Sequence, residues 1–106
     1  MTTARVAIPY EAITEFCRKW RITELALFGS VLRDDFRPDS DVDVLVRFAP
    51  DHHWTLFDLA DMEDELEAIF ARPVDLTDWD GVEQSPNYIR RKQILSTIEP
   101  VYAAGR

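Results

Sequence analysis

Two aspartates separated by one residue stand in the most regularly alternating part of the sequence. Asp41 and Asp43 alternate with Val42, Val44 and Val46. Successive side chains of a strand point to opposite faces of a sheet, so the carboxylates are predicted to share one face and the valines the other. Neighbouring carboxylates repel each other unless a cation lies between them. Mg²⁺ is the natural candidate, because it prefers oxygen ligands and is usually held by one or two carboxylates together with substrate phosphates.

A Gly-Ser pair, Gly29-Ser30, is separated from Asp41 by ten residues and comes directly after the apolar run 25–28. This pattern predicts a buried strand that passes into a short helix. The first N–H groups of a helix are unpaired and attract anions such as phosphate. Glycine allows the backbone to approach a phosphate closely, and the serine hydroxyl adds a donor. A phosphate cradle is therefore predicted beside the aspartate pair.

Asp75 is a third carboxylate that alternates with apolar residues, here Val74 and Leu76. If its strand neighbours the strand of Asp41 and Asp43, all three carboxylates can face one site. Asp75 would then bind a second metal or accept a proton from an attacking hydroxyl, whereas a solvent-facing strand residue is the alternative. Such a site suits in-line displacement at a nucleotide α-phosphate, with pyrophosphate as the leaving group.

The elements that position these residues are predicted from apolar periodicity and from helix and turn signals. The strands are predicted over residues 24–28, 41–48 and 73–77, and residues 100–103 form an edge strand or a docked tail. The helices are predicted over residues 9–20, over 30–36, from Thr55 onward, and from a Ser85 cap to about residue 98; Asp78 and Asp80 are read as loop residues. This alternation predicts an α/β fold around a small sheet.

The long helix from Thr55 carries the clearest amphipathic pattern. Thr55 and Asp58 are spaced as a capping box. Its apolar stripe comprises Leu56, Leu59, Met62, Leu66, Ile69 and Phe70. The acidic residues, among them the run 63–65 and Glu67, fall outside that stripe. They predict a solvated helix face, with a docking surface for a basic partner as the alternative.

Composition narrows the classes of partner and compartment. The 106 residues, expected to form a single domain over 1–106, hold 20 acidic and 12 basic side chains for a net charge of -8. This acidity argues against broad binding to nucleic acid or to an anionic membrane. The single cysteine, Cys17, is expected to be a buried reduced thiol. No charged-then-apolar leader or long apolar run is present, which predicts a cytoplasmic protein.

Two further clusters have ordinary interpretations. His52 and His53 are adjacent, but no Cys or carboxylate spacing around them supports zinc, so an exposed loop pair is expected. The basic cluster Arg90-Arg91-Lys92 is expected to be a solvated helix face. Contact with nucleotide phosphate or with a partner is the alternative for this cluster.

The spacing of Gly29-Ser30 and Asp41-x-Asp43 resembles the signature of the DNA polymerase beta-like nucleotidyltransferase superfamily. Across nearly its whole length the chain is similar to the minimal nucleotidyltransferases, which are stand-alone catalytic cores. The resemblance implies an α/β (α+β) nucleotidyltransferase fold, with a small mixed β-sheet packed against about four helices. Asp34 departs from the pattern, since many relatives have glycine at that position.

The resemblance also implies roles for individual residues. Asp41 and Asp43 would be metal ligands for Mg²⁺, and Asp75 would be the third catalytic and metal-binding carboxylate. The residues implied to bind the nucleotide are Gly29, Ser30 and Arg33.

The activity that the resemblance implies is transfer of AMP from ATP to a tyrosine of a HEPN-type ribonuclease toxin. The chain would then be the antitoxin of a toxin–antitoxin pair and would form a hetero-oligomer with its partner. Its acidity fits a basic, RNA-handling partner. Two alternatives remain open: an antitoxin that neutralises its partner by binding alone, and a nucleotidyltransferase for a small molecule such as an aminoglycoside.

Overall fold

The computed structural model describes residues 8–29, 41–50 and 54–104. In chain order the elements are α1 (Tyr10–Lys19), β1 (Ile22–Phe28), β2 (Val42–Phe48), α2 (Leu56–Phe70), β3 (Val74–Asp78), α3 (Trp79–Glu83), α4 (Tyr88–Leu95) and β4 (Ile98–Ala103). The helix predicted over residues 30–36 and the pair His52-His53 lie outside the described residues. None of the helices in the described ranges has the length and apolar character needed to span a bilayer.

The four strands form one mixed sheet in the order β3-β2-β1-β4. β1 lies between β2 and β4 and is antiparallel to both. β2 and β3 are parallel, so the chain must cross from one end of the sheet to the other between them, and α2 makes that crossover. With the four helices of the described part, this architecture confirms the small mixed sheet that the sequence predicted.

The two faces of the sheet differ in cover and in chemistry. On the valine face, to which Val42, Val44 and Val46 point, the main core packs against α1 and α2. The opposite, aspartate face carries Asp43, Leu45 and Arg47. There Leu45 packs in a smaller core with residues of α3 and α4: Trp79, Val82 and Ile94. The valines of β2 are fully buried, as the alternation predicted.

Both helices on the valine face are specified locally by their sequences. α1 buries Ile13, Phe16 and Cys17, and the burial of Cys17 raises the pKa of its thiol to about 12, so the thiol is protonated and inert. The predicted capping box is present at the start of α2, where the Thr55 hydroxyl accepts from the Asp58 N–H at 3.2 Å. The predicted stripe is wrong at Leu56, the first residue of α2, which is 83% exposed.

The sequence predicts a solvated acidic face on α2, but the structure shows that this face also contacts the edge of the sheet. β3 is an edge strand, and two of its outward N–H groups are met by carboxylates of α2. The Val74 N–H donates to Glu67 Oε2 at 3.3 Å, and the Leu76 N–H donates to Glu63. Burial, followed by the nearby charges of Asp75, Glu67 and Asp64, raises the pKa of Glu63, although the Leu76 hydrogen bond opposes this. The helix therefore completes the edge of the sheet.

The C-terminal third departs most from the predicted elements. Asp80 was predicted in a loop but lies in α3, and Asp78 ends β3 and caps α3 by accepting from the Asp80 N–H at 3.2 Å. Helix α4 begins after Asn87 rather than at Ser85, because the Asn87 side chain accepts from the Arg90 N–H at 3.1 Å. The helix predicted to reach residue 98 ends at Leu95, and the tail forms β4, the edge-strand alternative.

Candidate active site

Two of the three predicted carboxylates lie side by side on neighbouring strands. Asp43 of β2 and Asp75 of β3 are register partners in the parallel pair. Partners in register share a face, and Val74 and Leu76 pack into the core of the valine face. Asp43 and Asp75 therefore both stand on the aspartate face, near the end of the sheet where β1 finishes.

Gly29 closes the other side of Asp43. Phe28, the last residue of β1, is the register partner of Asp43, and the chain turns at Gly29 with a φ of 77°. A Cβ atom at Gly29 would overlap Oδ2 of Asp43 and lie 3.1 Å from its Cγ. The position thus requires glycine twice, for its positive φ and for the close approach of the carboxylate. β1, β2 and β3 accordingly place Gly29, Asp43 and Asp75 in a row.

The remaining predicted site residues are placed less completely. Asp41 is exposed and directly precedes β2, where the Val42 N–H donates to the Pro73 carbonyl at 2.9 Å. This bond ties the chain at Asp41 to the entry of β3. Ser30, Arg33 and Asp34 lie outside the described residues.

The donor set fits a hard divalent cation that is shared with a substrate. Among residues 8–29, 41–50 and 54–104, no group of three His, Cys, Asp or Glu side chains is close enough to enclose a metal ion. Mg²⁺ does not require such a cage, because it usually takes one or two carboxylates and completes its shell with phosphates and water. The carboxylate brought against Gly29 and its register partner Asp75 supply oxygen ligands of that kind.

Arg47 occupies the other end of the aspartate face, four residues after Asp43 on β2, and sequence reasoning gave it no role. Its guanidinium bonds Asp80 and Glu83 of α3, the latter at 3.0 Å, and lies 3.4 Å from Glu24 of β1. It also lies over the ring of Trp79, 4.9 Å from the centroid. The Glu83 hydrogen bond and the surrounding carboxylates raise the pKa of Arg47 above its ordinary value, although burial opposes this rise. Arg47 thus fixes α3 on the sheet.

Two cavities are lined in part by residues of β3. A cavity of about 290 Å³ opens between β3, α3 and α4, and its lining includes Thr77, Ser85, Arg90 and Arg91. A larger one, of about 510 Å³, lies beside the start of α2 and is lined by apolar side chains that include Val46, Trp54 and Leu76. Val46 and Leu76 belong to the valine face, so the larger cavity opens on the face opposite to Asp43 and Asp75.

Sequence reasoning missed Arg47, α3 and the position of the basic cluster. One available signal was the i, i+3 spacing of Asp80 and Glu83, which places two carboxylates on one side of a helical turn. Arg47 follows Asp43 and Leu45 at every second position, which places its cation on the same face as theirs. The pairing of these two signals depends on the packing of α3, which periodicity does not report.

Comparisons with known proteins agree with this arrangement. Residues 10–99 match the nucleotidyltransferase domain family. Protein adenylyltransferase MntA of Thermococcus cleftensis is 36% identical over 62 residues. That match covers 58% of this chain and 61% of the relative, so the chain spans less than two thirds of that protein.

Solved structures show the same fold. The structure of a minimal nucleotidyltransferase matches with 33% identity and a TM-score of 0.65, covering 86% of this chain and 87% of that one. A toxin–antitoxin crystal structure with AMP-PNP matches with 18% identity and a TM-score of 0.69, over 92% of this chain and 76% of that one. An MNT antitoxin in complex with the tri-AMPylated HEPN toxin of Shewanella oneidensis matches with 19% identity and a TM-score of 0.60, over 89% and 69% of the chains.

Proposed function

We propose, from the premise that this chain belongs to the nucleotidyltransferase domain family, that it transfers AMP from ATP to a cognate HEPN-type toxin and thereby silences it. One observation carries the proposal. Asp43 and Asp75 are in register on parallel strands, and Asp43 lies against a glycine turn that tolerates no side chain. Carboxylates beside a phosphate cradle are what nucleotidyl transfer requires.

The roles follow from the row of residues on the aspartate face. Gly29, with Ser30 and Arg33 assigned by family resemblance, would hold the triphosphate. Asp41, Asp43 and Asp75 would hold Mg²⁺, which when bound neutralises charge on the phosphates and the leaving pyrophosphate. The last of these, Asp75, alternatively accepts the proton of the acceptor.

The reaction is an in-line displacement. The acceptor hydroxyl oxygen attacks the α-phosphorus of ATP and forms a phosphoester bond. The bond between the α-phosphorus and the bridging oxygen of the β-phosphate breaks, and pyrophosphate leaves with that electron pair. The hydroxyl proton passes to a carboxylate of the site. Positioning and charge neutralisation supply most of the acceleration in such reactions.

A tyrosine of the toxin is the proposed acceptor, and successive transfers to one toxin molecule belong to the proposal. Two similar proteins support a protein acceptor that takes several AMP groups, the protein adenylyltransferase MntA and the antitoxin bound to a tri-AMPylated toxin, whereas the tyrosine is assigned by family resemblance. The net charge of -8 suits a basic partner.

The direct test incubates the purified chain with the protein encoded beside its gene, ATP and Mg²⁺, and follows intact mass. We expect AMP increments on the neighbour with the wild-type chain and none with Asp43→Asn. Asp61→Asn, an exposed carboxylate of α2, is the matched control and should transfer AMP normally.

The alternatives give different results in the same assay. Protection of cells by Asp43→Asn at the wild-type level, without any AMP adduct, would identify an antitoxin that acts by binding alone. AMP transfer to an aminoglycoside in preference to the neighbour would identify a small-molecule enzyme.

A further inference from the structure

The cavity of about 510 Å³ at the start of α2, here called the α2 cavity, combines an apolar wall with an exposed apolar opening. β2 and β3 contribute Val46, Phe48 and Leu76 to the wall. Leu56 of α2 also lines the cavity although it is 83% exposed, and the next residue, Phe57, is 84% exposed. The apolar surface therefore extends beyond the cavity itself, as it does where another macromolecule binds.

The charges around the α2 cavity are negative. Glu63 and Asp78 both line it, and within the described part of the chain neither carboxylate forms an ion pair. The nearby charges of Asp75, Glu67 and Asp64 also act on Glu63. Helix α2 has six acidic residues and no basic one. An occupant that brings a cation is therefore favoured, whereas nucleic acid and an anionic membrane are repelled.

A second exposed apolar pair carries the opposite charge. Tyr88 and Ile89 of α4 are also large, apolar and exposed, but Arg90, Arg91 and Lys92 follow them directly. A basic partner is repelled from these side chains and attracted to the α2 cavity. Charge complementarity thus distinguishes the two apolar surfaces.

Glu63 connects the α2 cavity with the proposed reaction centre. Its carboxylate accepts the N–H of Leu76, the residue after Asp75. The cavity opens on the valine face, but β3 is an edge strand, so a protein bound over Glu63 can also reach the face that carries Asp75. Binding at this edge would raise the local concentration of an acceptor hydroxyl near Asp75.

We propose that the α2 cavity is the docking site for a basic amphipathic segment of the acceptor protein. An apolar side chain of that segment fills the cavity beside Leu56, and a Lys or Arg pairs with Glu63 and Asp78. The inference rests on the proposed function for the identity of the docked protein, and it gives that protein a binding surface separate from the reacting groups. Buried apolar anchors supply most of the energy of such interfaces, and the charges select the partner.

The first experiment measures binding without chemistry. The chain is titrated calorimetrically with the protein encoded beside its gene, in the absence of ATP and Mg²⁺. We expect Leu56→Ser to raise Kd about tenfold, because the apolar contact at the cavity is lost. Ile89→Ser removes a side chain of similar exposure from α4 and should bind as the wild type does. Equal Kd values for Leu56→Ser and the wild type would overturn the proposal, as would an equal loss of affinity in Ile89→Ser.

Glu63→Gln tests the charge of the docking site. The glutamine oxygen can still accept the Leu76 N–H, so the variant removes the charge and keeps the edge of β3. We expect Kd to rise about fivefold at about 50 mM NaCl and the difference to narrow at about 500 mM, because salt screens the lost ion pair. Glu15→Gln, exposed on α1, is the matched control. An unchanged Kd for Glu63→Gln at low salt would show that the partner places no cation there, against the proposal.

The second experiment separates docking from chemistry by following AMP transfer to the same neighbouring protein. Leu56→Ser should raise KM for that protein about tenfold and leave kcat and KM for ATP unchanged. A raised KM for ATP would assign the α2 cavity to the nucleotide instead and overturn the proposal.

Two further outcomes are decided by the same samples. If Leu56→Ser changes the chain's own oligomeric state in sedimentation but not its affinity for the neighbour, the cavity binds a second copy of the chain and the proposal is wrong. If the wild-type chain transfers no AMP at all, the proposed function fails, and the Kd values still decide whether the cavity is a docking site.

Discussion

The two faces of β2 differ in the kind of side chain they carry and in what surrounds it. Val42, Val44 and Val46 are fully buried under α1 and α2, where they contribute packing. On the other face Asp43 lies against Gly29 and Arg47 is held by three carboxylates, with buried Leu45 between them. The valine face of the strand thus supplies packing, whereas the aspartate face carries a carboxylate of the proposed site beside residues that hold α3. Substitutions should therefore separate the two properties residue by residue.

Among substitutions that leave every carboxylate in place, the largest effect on AMP transfer is expected at Gly29. In Gly29→Ala the Cβ atom displaces the carboxylate of Asp43, and the positive φ adds about 1 kcal/mol of strain. We expect AMP transfer to fall about 100-fold, as small misplacements of reacting groups do. Gly81→Ala is the matched control for a general loss of folding. Its Cβ atom would lie 3.7 Å from Asp78 Cβ, which is an ordinary van der Waals contact. Full transfer by Gly29→Ala would show that Asp43 is not positioned through this turn.

Val44→Ala tests the valine face. Removing two methyl groups from a fully buried position is expected to lower the free energy of unfolding by about 2 kcal/mol, measured by urea denaturation. AMP transfer should be retained at temperatures where the variant is folded. Asp75→Asn should do the reverse, changing stability by less than about 0.5 kcal/mol and stopping transfer. Loss of transfer in folded Val44→Ala would break the separation of the faces.

Arg47→Met tests how much the ion pairs of the aspartate face contribute to stability. The variant leaves Glu24, Asp80 and Glu83 without their shared cation, and these groups are partly exposed, so we expect a loss of only about 1 kcal/mol. Because salt screens the remaining carboxylates from one another, the deficit should shrink in 1 M NaCl, as Tm measurements at both ionic strengths would show. Arg47→Lys keeps the positive charge but loses the forked geometry of the guanidinium. Its stability should lie between that of Arg47→Met and that of the wild type. A deficit that grows with salt would contradict this electrostatic account.

Glu63→Gln should have the smallest effect, visible as a pH dependence. Burial raises the pKa of Glu63 in the folded chain, so the folded state binds more protons than the unfolded state above the ordinary glutamate pKa. Stability from this group is then lost as pH rises through that window. The glutamine oxygen can still accept the Leu76 N–H, so Tm of the variant should decline less between about pH 4.5 and 7. Glu15→Gln, an exposed change of the same charge, is the control, and identical profiles for Glu63→Gln and wild type would contradict the assignment.

The sequence predicted best where local signals are complete. β2 begins within one residue of its predicted start because six alternating positions leave one register for the buried valines. The capping box at Thr55 was equally reliable, since all of its partners lie within four residues. Local chemistry of this kind needs no knowledge of the rest of the fold.

Elements that depend on distant packing were not predictable in the same way. α3 has five residues, too few for periodicity, and its place is set by Trp79, Val82 and the ion pairs to Arg47. The start of α4 failed because two capping residues compete, and the Ser85 hydroxyl accepts from the Asn87 N–H at 3.2 Å, as a turn residue does.

The candidate site was predicted in part for the same reason. Asp43 and Asp75 share one face only because β2 and β3 are neighbours in one particular register. The sequence alone does not show that these two strands pair. Gly29 was expected to approach a phosphate, and the structure adds that it makes room for a carboxylate. The basic cluster lies on a helix with Arg90 and Lys92 exposed, as the sequence predicted, but nothing local shows that α4 lies beside β3.

The closure of the β3 edge by Glu63 and Glu67 limits how another protein can join this one. A foreign strand that sought to extend the sheet there would have to displace two carboxylates from N–H groups. At the opposite edge, β4 contains Pro100, which lacks the N–H that a continuous ladder requires. Both edges of the sheet thus disfavour aggregation by strand addition. Under the proposed function, a partner would bind through side chains on the faces of the sheet and bring its acceptor to the aspartate face.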